Sequence, residues 1–272
     1  MIVFPNCKIN LGLHILHKRQ DGFHDLESVF FPLPIHDALE FILSPDKNSP
    51  AFTISGLAID INPSQNIVYK AFELLKADFP FITPVHIHLH KNIPMGAGLG
   101  GGSSDGAYAL LLLNKIFKLG IDQQKLVDYA AQLGSDCPFF ILNQPCYVTG
   151  RGEKMERVEL DLSGFSIVII YPGIHIPTKW AFAQVKPALP RTSLRSLITF
   201  PVEEWKNELK NDFEAPVFQH YPLIKVIRDE LYEKGAVYAS MSGSGSSVYG
   251  IFKKSAIPVF NFPSEYFIKS IQ

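Results

Sequence analysis

The chain has 272 residues, of which 47% are hydrophobic and 19% are charged, a composition typical of a folded protein and unlike that of a disordered one. Lys and Arg number 25 and Asp and Glu number 26, so the formal net charge is −1. This balance argues against nucleic acid as a partner, because a long polyanion needs a broad basic surface. A small anionic ligand needs only a local site and is not excluded.

The cysteines Cys7, Cys137 and Cys146 are odd in number and form no C-x-x-C pair, so they predict neither a disulfide framework nor a zinc ribbon. Reduced thiols are typical of the cytoplasm. The first 20 residues lack the pattern of a signal peptide, and the apolar run 107–113 is too short to cross a bilayer. We therefore expect a cytoplasmic protein outside the membrane; its oligomeric state is not determined by these features.

Short strands are predicted at Ala38 to Leu43 and Ala51 to Ile54, separated by turn residues between positions 44 and 50. Asn66 to Ala77 has apolar residues at helical spacing and predicts an amphipathic helix. Val85 to His90 alternates strictly and predicts a strand.

The strand is followed by the glycine-rich segment Pro94 to Ser104, and then by an apolar helix predicted from about Asp105 to Phe117, with Ser103 or Ser104 as its N-cap. Gln123 to Gln132 predicts a further helix that closes near Gly134.

In the second half, Phe165 to Tyr171 predicts a buried strand, and Val202 to Leu209 and Leu223 to Lys234 predict helices. A second small-residue loop, Ser242 to Ser247, leads into a strand at Val248 to Phe252. Strands and helices without regular β-α-β alternation predict an α+β fold. We expect two lobes, residues 1–157 with the glycine-rich loop and residues 158–272.

Three kinds of site compete for the glycine-rich segment. A Walker A loop is rejected because Gly102 stands where its lysine belongs. Gly96, Gly98 and Gly101 satisfy the dinucleotide-binding spacing, but the acidic residue needed about 20 positions on, at the end of a second strand, is missing. A phosphate cradle of another type fits best, since glycines let backbone N–H groups approach a phosphate before a helix N-terminus. A long structural turn is the remaining alternative.

The histidines His86, His88 and His90 share one face of the predicted strand. A metal site is one interpretation, but alternating polar residues on a half-exposed strand are commoner.

The segment PMGAGLGGGSSDGA resembles the phosphate-binding motif of the GHMP kinases, the family of galactokinase, homoserine kinase and mevalonate kinase. Asn6 to Leu11 resembles the first motif of that family, and Met241 to Ser247 resembles the third. The resemblance implies a two-lobed GHMP-kinase fold with the active site in the cleft between the lobes. It also implies ATP, with Mg²⁺ whose protein ligands are unknown. The residues it assigns to ATP are Pro94, Met95, Gly96, Ala97, Gly98, Leu99, Gly100, Gly101, Gly102, Ser103, Ser104 and Asn66.

Two further segments resemble one branch of the family. Asp21 to Leu26 resembles its D-G-[YF]-H-x-L segment, which cradles cytosine, and Gly134 to Phe140 resembles G-[AS]-D-[VI]-P-F-F, which carries an aspartate. This branch phosphorylates a cytidine diphosphate ester of methylerythritol in non-mevalonate isoprenoid synthesis. The alternatives are another small-molecule kinase of the family, of homoserine or mevalonate type, or a non-catalytic nucleotide-binding protein.

By the same resemblance Asp136 accepts the proton of the acceptor hydroxyl, and Lys8 keeps that carboxylate ionised and stabilises charge near the transferring phosphoryl group. The expected substrate contacts are Asn10 to the erythritol part, Phe23, His24 and Phe182 around the pyrimidine, and Thr178. Without the resemblance Phe23 would be read as a core residue, and Thr178 is as well explained as a helix cap.

Overall fold

The computed structural model describes residues 1–44, 51–58, 62–254 and 258–272. Mixed helices and strands confirm the α+β class. The chain divides into two compact units, each built from separate segments of sequence. The first contains Met1–Cys7, Pro34–Met95 and Gly100–Gln144, and the second contains Lys8–Leu33, Gly96–Leu99 and Pro145–Gln272.

The first unit contains a four-stranded sheet in the order β1-β4-β6-β5. Its strands are β1 (Ile2–Val3), β4 (Ala38–Leu43), β5 (Ala51–Gly56) and β6 (Val85–Lys91). Strand β5 pairs with β6 in parallel, while β4 pairs with β6 antiparallel. The predicted strands are therefore present. The turn residues 45–50 that the sequence suggested between β4 and β5 lie outside the described residues.

Four helices of the first unit have well-defined bounds: α1 (Ile67–Asp78), α2 (Gly101–Ile116), α3 (Gln123–Leu133) and α4 (Cys137–Leu142). The side-chain oxygen of Asn66 accepts the N–H of Val68 at 2.9 Å and so caps α1. Helix α3 ends at Gly134, as the sequence predicted. The amphipathic helix predicted from Asn66 to Ala77 and the helix predicted from Gln123 to Gln132 are therefore both confirmed.

The start of α2 differs from the sequence prediction. The helix begins at Gly101, with Gly100 in the left-handed conformation as its N-cap, so the predicted cap at Ser103 or Ser104 is wrong. A Cβ on Gly101 would lie 2.8 Å from Cγ2 of Ile93, so a side chain at this position would force Ile93 to move. Close packing, which propensity arguments cannot anticipate, decides the boundary.

The second unit contains two four-stranded sheets, in the orders β2-β3-β7-β8 and β10-β11-β9-β12. Their strands are β2 (Asn6–Lys18), β3 (His24–His36), β7 (Cys146–Gly150), β8 (Lys154–Arg157), β9 (Phe165–Tyr171), β10 (Tyr238–Met241), β11 (Val248–Lys253) and β12 (Phe267–Ile271). Each of the 13-residue strands β2 and β3 has residues in both units, so the units interleave along the chain. The division into residues 1–157 and 158–272 stays a prediction.

The helices of the second unit are α5 (Thr178–Gln184), α6 (Leu194–Leu197), α7 (Trp205–Glu208), α8 (Glu214–His220) and α9 (Pro222–Glu233). A buried core joins α8 and α9 to β9 and β11 through residues such as Val217, Ile227, Val168 and Val248.

The helix expected from Val202 to Leu209 is shorter and tighter than predicted. A 3₁₀ turn covers Val202–Glu204, and α7 follows it. The buried residues Val202 and Trp205 are three positions apart, which suits the three-residue turn of a 3₁₀ helix. Among the described residues, no helix has the length and apolar character that a bilayer span requires.

Candidate active site

Parts of three sequence motifs meet in the second unit: the motif that contains Lys8, the glycine-rich segment and the small-residue loop 242–247. The backbone N–H of Lys8 donates to the carbonyl of Leu99 at 2.9 Å, and that of Ser247 donates to Ala97 at 3.1 Å. The hydroxyl of Ser242 donates to the carbonyl of Gly98 at 2.8 Å. Segments far apart in sequence therefore form one hydrogen-bonded cluster.

Gly98 allows the two loops to approach each other this closely. Its φ is +80°, a conformation that costs L-residues about 1–2 kcal/mol. A Cβ at this position would lie 2.1 Å from the carbonyl oxygen of Ser242. Any side chain here would push the loop 96–99 away from the loop 242–247.

In the first unit, α2 opens with a turn suited to an anion. The first intrahelical bond runs from the N–H of Ser104 to the carbonyl of Gly100, so the N–H groups of Gly101, Gly102 and Ser103 precede it. Such groups and the helix dipole favour a phosphate. The buried hydroxyl of Ser104 has no hydrogen-bond partner among the described residues. The segment Pro94 to Ser104 contains no Lys or Arg, so within it only backbone N–H groups and serine hydroxyls could attract an anion.

Lys8 is buried at 2% exposure on β2. Its Nζ donates to Oδ1 of Asn10 at 2.5 Å and lies 4.4 Å from the ring centre of Phe30. Residues two apart on a strand share a face, which is why Lys8 and Asn10 meet.

Asn10 is also buried, and each of its polar groups is hydrogen-bonded. Its side-chain Nδ2 donates to Oγ of Ser28 at 2.9 Å. Its backbone N–H donates to Oγ of Ser242 at 3.2 Å, and its carbonyl accepts the hydroxyl of Tyr249 at 2.8 Å. Ser28, Ser242 and Tyr249 were not singled out individually from the sequence. Only the membership of Ser242 in the third motif hinted at such a role.

Asp136 lies in the first unit at the N-cap position of α4 and makes no capping hydrogen bond with its side chain. The next residue, Cys137, is fully buried. Burial raises the pKa of its thiol to about 12, while a hydrogen bond from Ser103 opposes the shift. The predicted pairing of Asp136 with Lys8 joins residues of different units and stays a prediction.

The residues expected around a pyrimidine form an aromatic group in the second unit. His24 and Phe182 stack with ring centres 5.1 Å apart and an interplanar angle of 22°. Phe23 is 54% exposed, and the guanidinium of Arg151 lies 4.8 Å from its ring centre. Phe23 is thus not the core residue that the sequence alone suggested. Burial, with a smaller contribution from Lys18, lowers the pKa of His24 and favours the neutral imidazole.

Thr178 is exposed at the start of α5, and its hydroxyl lies 3.2 Å from that of Ser244 in the second loop. Its side chain does not cap α5, whose N-cap is Pro177. Asn66 uses its side-chain oxygen to cap α1 and is buried. The substrate and nucleotide roles of these residues stay predictions.

A buried charged group that the sequence did not reveal lies in the first unit. Nζ of Lys91 contacts Oδ2 of Asp37 and lies 2.7 Å from Oδ2 of Asp105 in α2. All three side chains are buried, and two carboxyl groups share one ammonium. Burial, which outweighs the attraction of Lys91, raises the pKa of Asp105 to about 8. The other Asp37 oxygen accepts the N–H groups of Asn92 and Ile93, which lead into the glycine-rich segment.

The three histidines of β6 lie on its exposed face. His86 is 3.1 Å from the hydroxyl of Ser44, and His88 and His90 are each 2.9 Å from that of Ser55. Within the described ranges, no group of three or more His, Cys, Asp or Glu side chains could hold a metal ion.

Two family models match the chain: the GHMP kinases N-terminal domain over residues 66–144 and the GHMP kinases C-terminal domain over residues 193–269. The chain belongs to the GHMP kinases. Members of this family use ATP as co-substrate. The resemblance drawn from the three motifs is thereby confirmed.

Two relatives in this family are identical to this chain at about half of the aligned positions. A Bacteroides fragilis protein named "4-diphosphocytidyl-2-C-methyl-D-erythritol kinase" is 52% identical over 253 residues, covering 93% of this chain and 92% of its own. A protein of the same name from Azobacteroides pseudotrichonymphae is 48% identical and covers 98% of this chain and 100% of its own.

Solved structures agree with the fold. A 4-(cytidine 5'-diphospho)-2C-methyl-D-erythritol kinase crystal structure superposes with a TM-score of 0.79 at 31% identity, covering 92% of this chain and 90% of that one. Homoserine kinase from Cytophaga hutchinsonii has a TM-score of 0.69 at 14% identity, covering 98% and 95%, and shows the shared fold alone.

Proposed function

We propose that this chain transfers the γ-phosphoryl group of ATP to the 2-hydroxyl of 4-diphosphocytidyl-2-C-methyl-D-erythritol, a step of non-mevalonate isoprenoid precursor synthesis. The observation that carries the proposal is the hydrogen-bonded cluster of Lys8, the loop 96–99 and the loop 242–247. Full-length relatives named for this activity at about half identity support the choice of acceptor. Homoserine and mevalonate kinases share only the fold, at 12–19% identity.

In this proposal the phosphates of ATP lie along the glycine-rich segment and the first turn of α2, held by backbone N–H groups. Mg²⁺ would neutralise phosphate charge and be held chiefly by phosphate oxygens and water. Neutral His24, with Phe182 and Phe23, would receive the cytosine, and base–aromatic stacking contributes about 1–3 kcal/mol per base. Thr178 would contact the same substrate, and Asn66 would lie near adenine.

Lys8 and Asp136 have different roles in the proposed reaction. Lys8, an ammonium buried on β2, stabilises negative charge that develops on the transferring phosphoryl group. Asp136 accepts the proton of the 2-hydroxyl as the oxygen attacks phosphorus, and ADP leaves. We place this reaction in the cytoplasm, a proposal that the three buried cysteines, which form no disulfide among the described residues, support.

A coupled ADP-release assay with the cytidine diphosphate ester, homoserine and mevalonate as acceptors tests the proposal. We expect turnover with the ester alone. Replacing Asp136 by Asn should lower kcat by about 10²–10⁴-fold, the usual contribution of a general base. Turnover with another acceptor but not with the ester would refute the substrate assignment, and wild-type kcat in the Asn variant would refute the role of Asp136.

A further inference from the structure

The direction in which Lys8 is held depends on Asn10, and the direction of the Asn10 amide depends on a third residue, Ser28. Lys8 and Asn10 lie on β2, while Ser28 lies on the neighbouring strand β3. All three side chains are buried. Water therefore cannot substitute for a hydrogen bond that any of them loses.

The hydroxyl of Ser28 has one proton, and that proton is already donated in a hydrogen bond. Its Oγ lies 2.7 Å from the carbonyl oxygen of Gly12, which can only accept a hydrogen bond. Toward Asn10, at 2.9 Å, Ser28 can therefore only accept. Asn10 must present its NH₂ group to Ser28 and, in consequence, its carbonyl oxygen to Lys8.

The other neighbour imposes the same orientation. The ammonium of Lys8 carries donors and no acceptor, so it requires the carbonyl oxygen of Asn10. A flipped amide would place NH₂ against the ammonium and oxygen against the Ser28 oxygen. With the backbone of Asn10 also held by Ser242 and Tyr249, neither the residue nor its amide has an alternative position.

We propose that Ser28 is a positioning residue for phosphoryl transfer, which acts through Asn10 to set the direction of the Lys8 ammonium. This proposal rests on the proposed function, because the proposed function gives Lys8 its role in phosphoryl transfer. It gives Asn10 a role different from the predicted contact with the erythritol part of the substrate. It also explains why a serine stands at a fully buried strand position, where an apolar residue would pack as well.

The test compares two variants of equal shape, Ser28→Thr and Ser28→Val, which differ in the hydroxyl. Because small misplacements of a catalytic group are costly, we expect Ser28→Val to lower kcat by about 10- to 100-fold relative to Ser28→Thr, with the KM for ATP changed about twofold or less. Ser166→Ala is the matched control, since Ser166 is equally buried and its hydroxyl has no partner among the described residues. We expect it to retain wild-type kcat.

Equal kcat in the Thr and Val variants would overturn the proposal, as would a loss that appears in KM for ATP alone. A second readout does not depend on activity: hydrogen exchange of the Asn10 side-chain NH₂, measured by NMR. We expect slow exchange in wild type and Ser28→Thr and faster exchange in Ser28→Val. If the wild-type protein does not phosphorylate the ester, the proposed function fails; unchanged exchange in Ser28→Val refutes the role of Ser28.

Discussion

Single residues of the candidate site are constrained by contacts that leave little room for substitution. Gly98 combines a positive φ with a carbonyl oxygen where a Cβ would lie, and Asn10 has every polar group hydrogen-bonded. Neither constraint involves apolar burial, so neither follows from hydrophobic pattern. The constraint on Gly98 concerns the contact between the glycine-rich loop and the second small-residue loop, and that on Asn10 concerns the contacts of β2 with β3, β11 and the second loop.

Replacement of Gly98 by Ala should therefore damage nucleotide binding. The methyl group would collide with Ser242 and add the cost of a left-handed alanine, about 1–2 kcal/mol. We expect the KM for ATP to rise by about tenfold or more, measured by ADP release, since 1.4 kcal/mol corresponds to a tenfold change. Gly164→Ala is the control, because a Cβ there meets nothing within 4 Å. An equal KM in both variants would contradict this reading of the loop.

The cysteines should be inert in the folded protein. Burial raises the pKa of Cys137 to about 12 and that of Cys146 to about 11, and Cys7 is fully buried. Because the thiolate is the reactive form, we expect a thiol reagent at pH 8 to label native protein at least about 100-fold more slowly than protein in urea. Rapid labelling of Cys137 in the native state would show that α4 opens frequently.

Among elements, α2 joins a first turn that is suited to an anion to a group of buried charged side chains. Asp105, one turn into the helix, shares Lys91 with Asp37, and Asp37 also accepts N–H groups of the segment before the glycines. Removing either Lys91 or Asp37 would leave the other charge buried and uncompensated, at a cost of about 3–5 kcal/mol. The group therefore fixes the entry to α2 while making stability sensitive to pH.

The sign of this sensitivity follows from the raised pKa of Asp105. Its contribution to stability is complete below the unfolded pKa of 3.8 and is lost as pH rises through about 8. We expect Asp105→Asn to reduce the fall in unfolding free energy between about pH 5 and about pH 9, measured by urea denaturation. Asp128→Asn, at an exposed position of α3, is the control and should keep the wild-type slope. A parallel slope in the Asp105 variant would contradict the shift.

For the whole molecule, ligand binding should raise the free energy of unfolding. A ligand present at 100 times its dissociation constant adds about 2.7 kcal/mol to the unfolding free energy if it binds only the folded state. For a chain of this size we expect the cytidine diphosphate ester or ATP to raise Tm by roughly 5–10 °C. Homoserine at the same concentration is the control. No shift with cytidine nucleotides would count against the pyrimidine role of His24 and Phe182.

Much of the architecture could be predicted from local pattern. The alternation of β6, the period of α1 and the apolar run of β9 each identified an element within about one residue, because burial of one face imposes a regular spacing. The pattern failed where packing overrode propensity. Glycines opened α2 because Ile93 lies too close for a side chain, and residues 202–209 broke into a 3₁₀ turn and a short helix.

The sequence by itself determined the family, because the glycine-rich segment and the motifs around it are local patterns of residue type and spacing that can be read without a structure. Only the tertiary structure decided which residues support them. Ser28, Tyr249 and the Lys91 group are distant in sequence from the atoms they hold, and a hydrogen bond between distant residues leaves no local spacing to read. The near-neutral net charge had the same limit, because a site that holds phosphate through backbone N–H groups, as proposed for this chain, needs no excess of Lys or Arg.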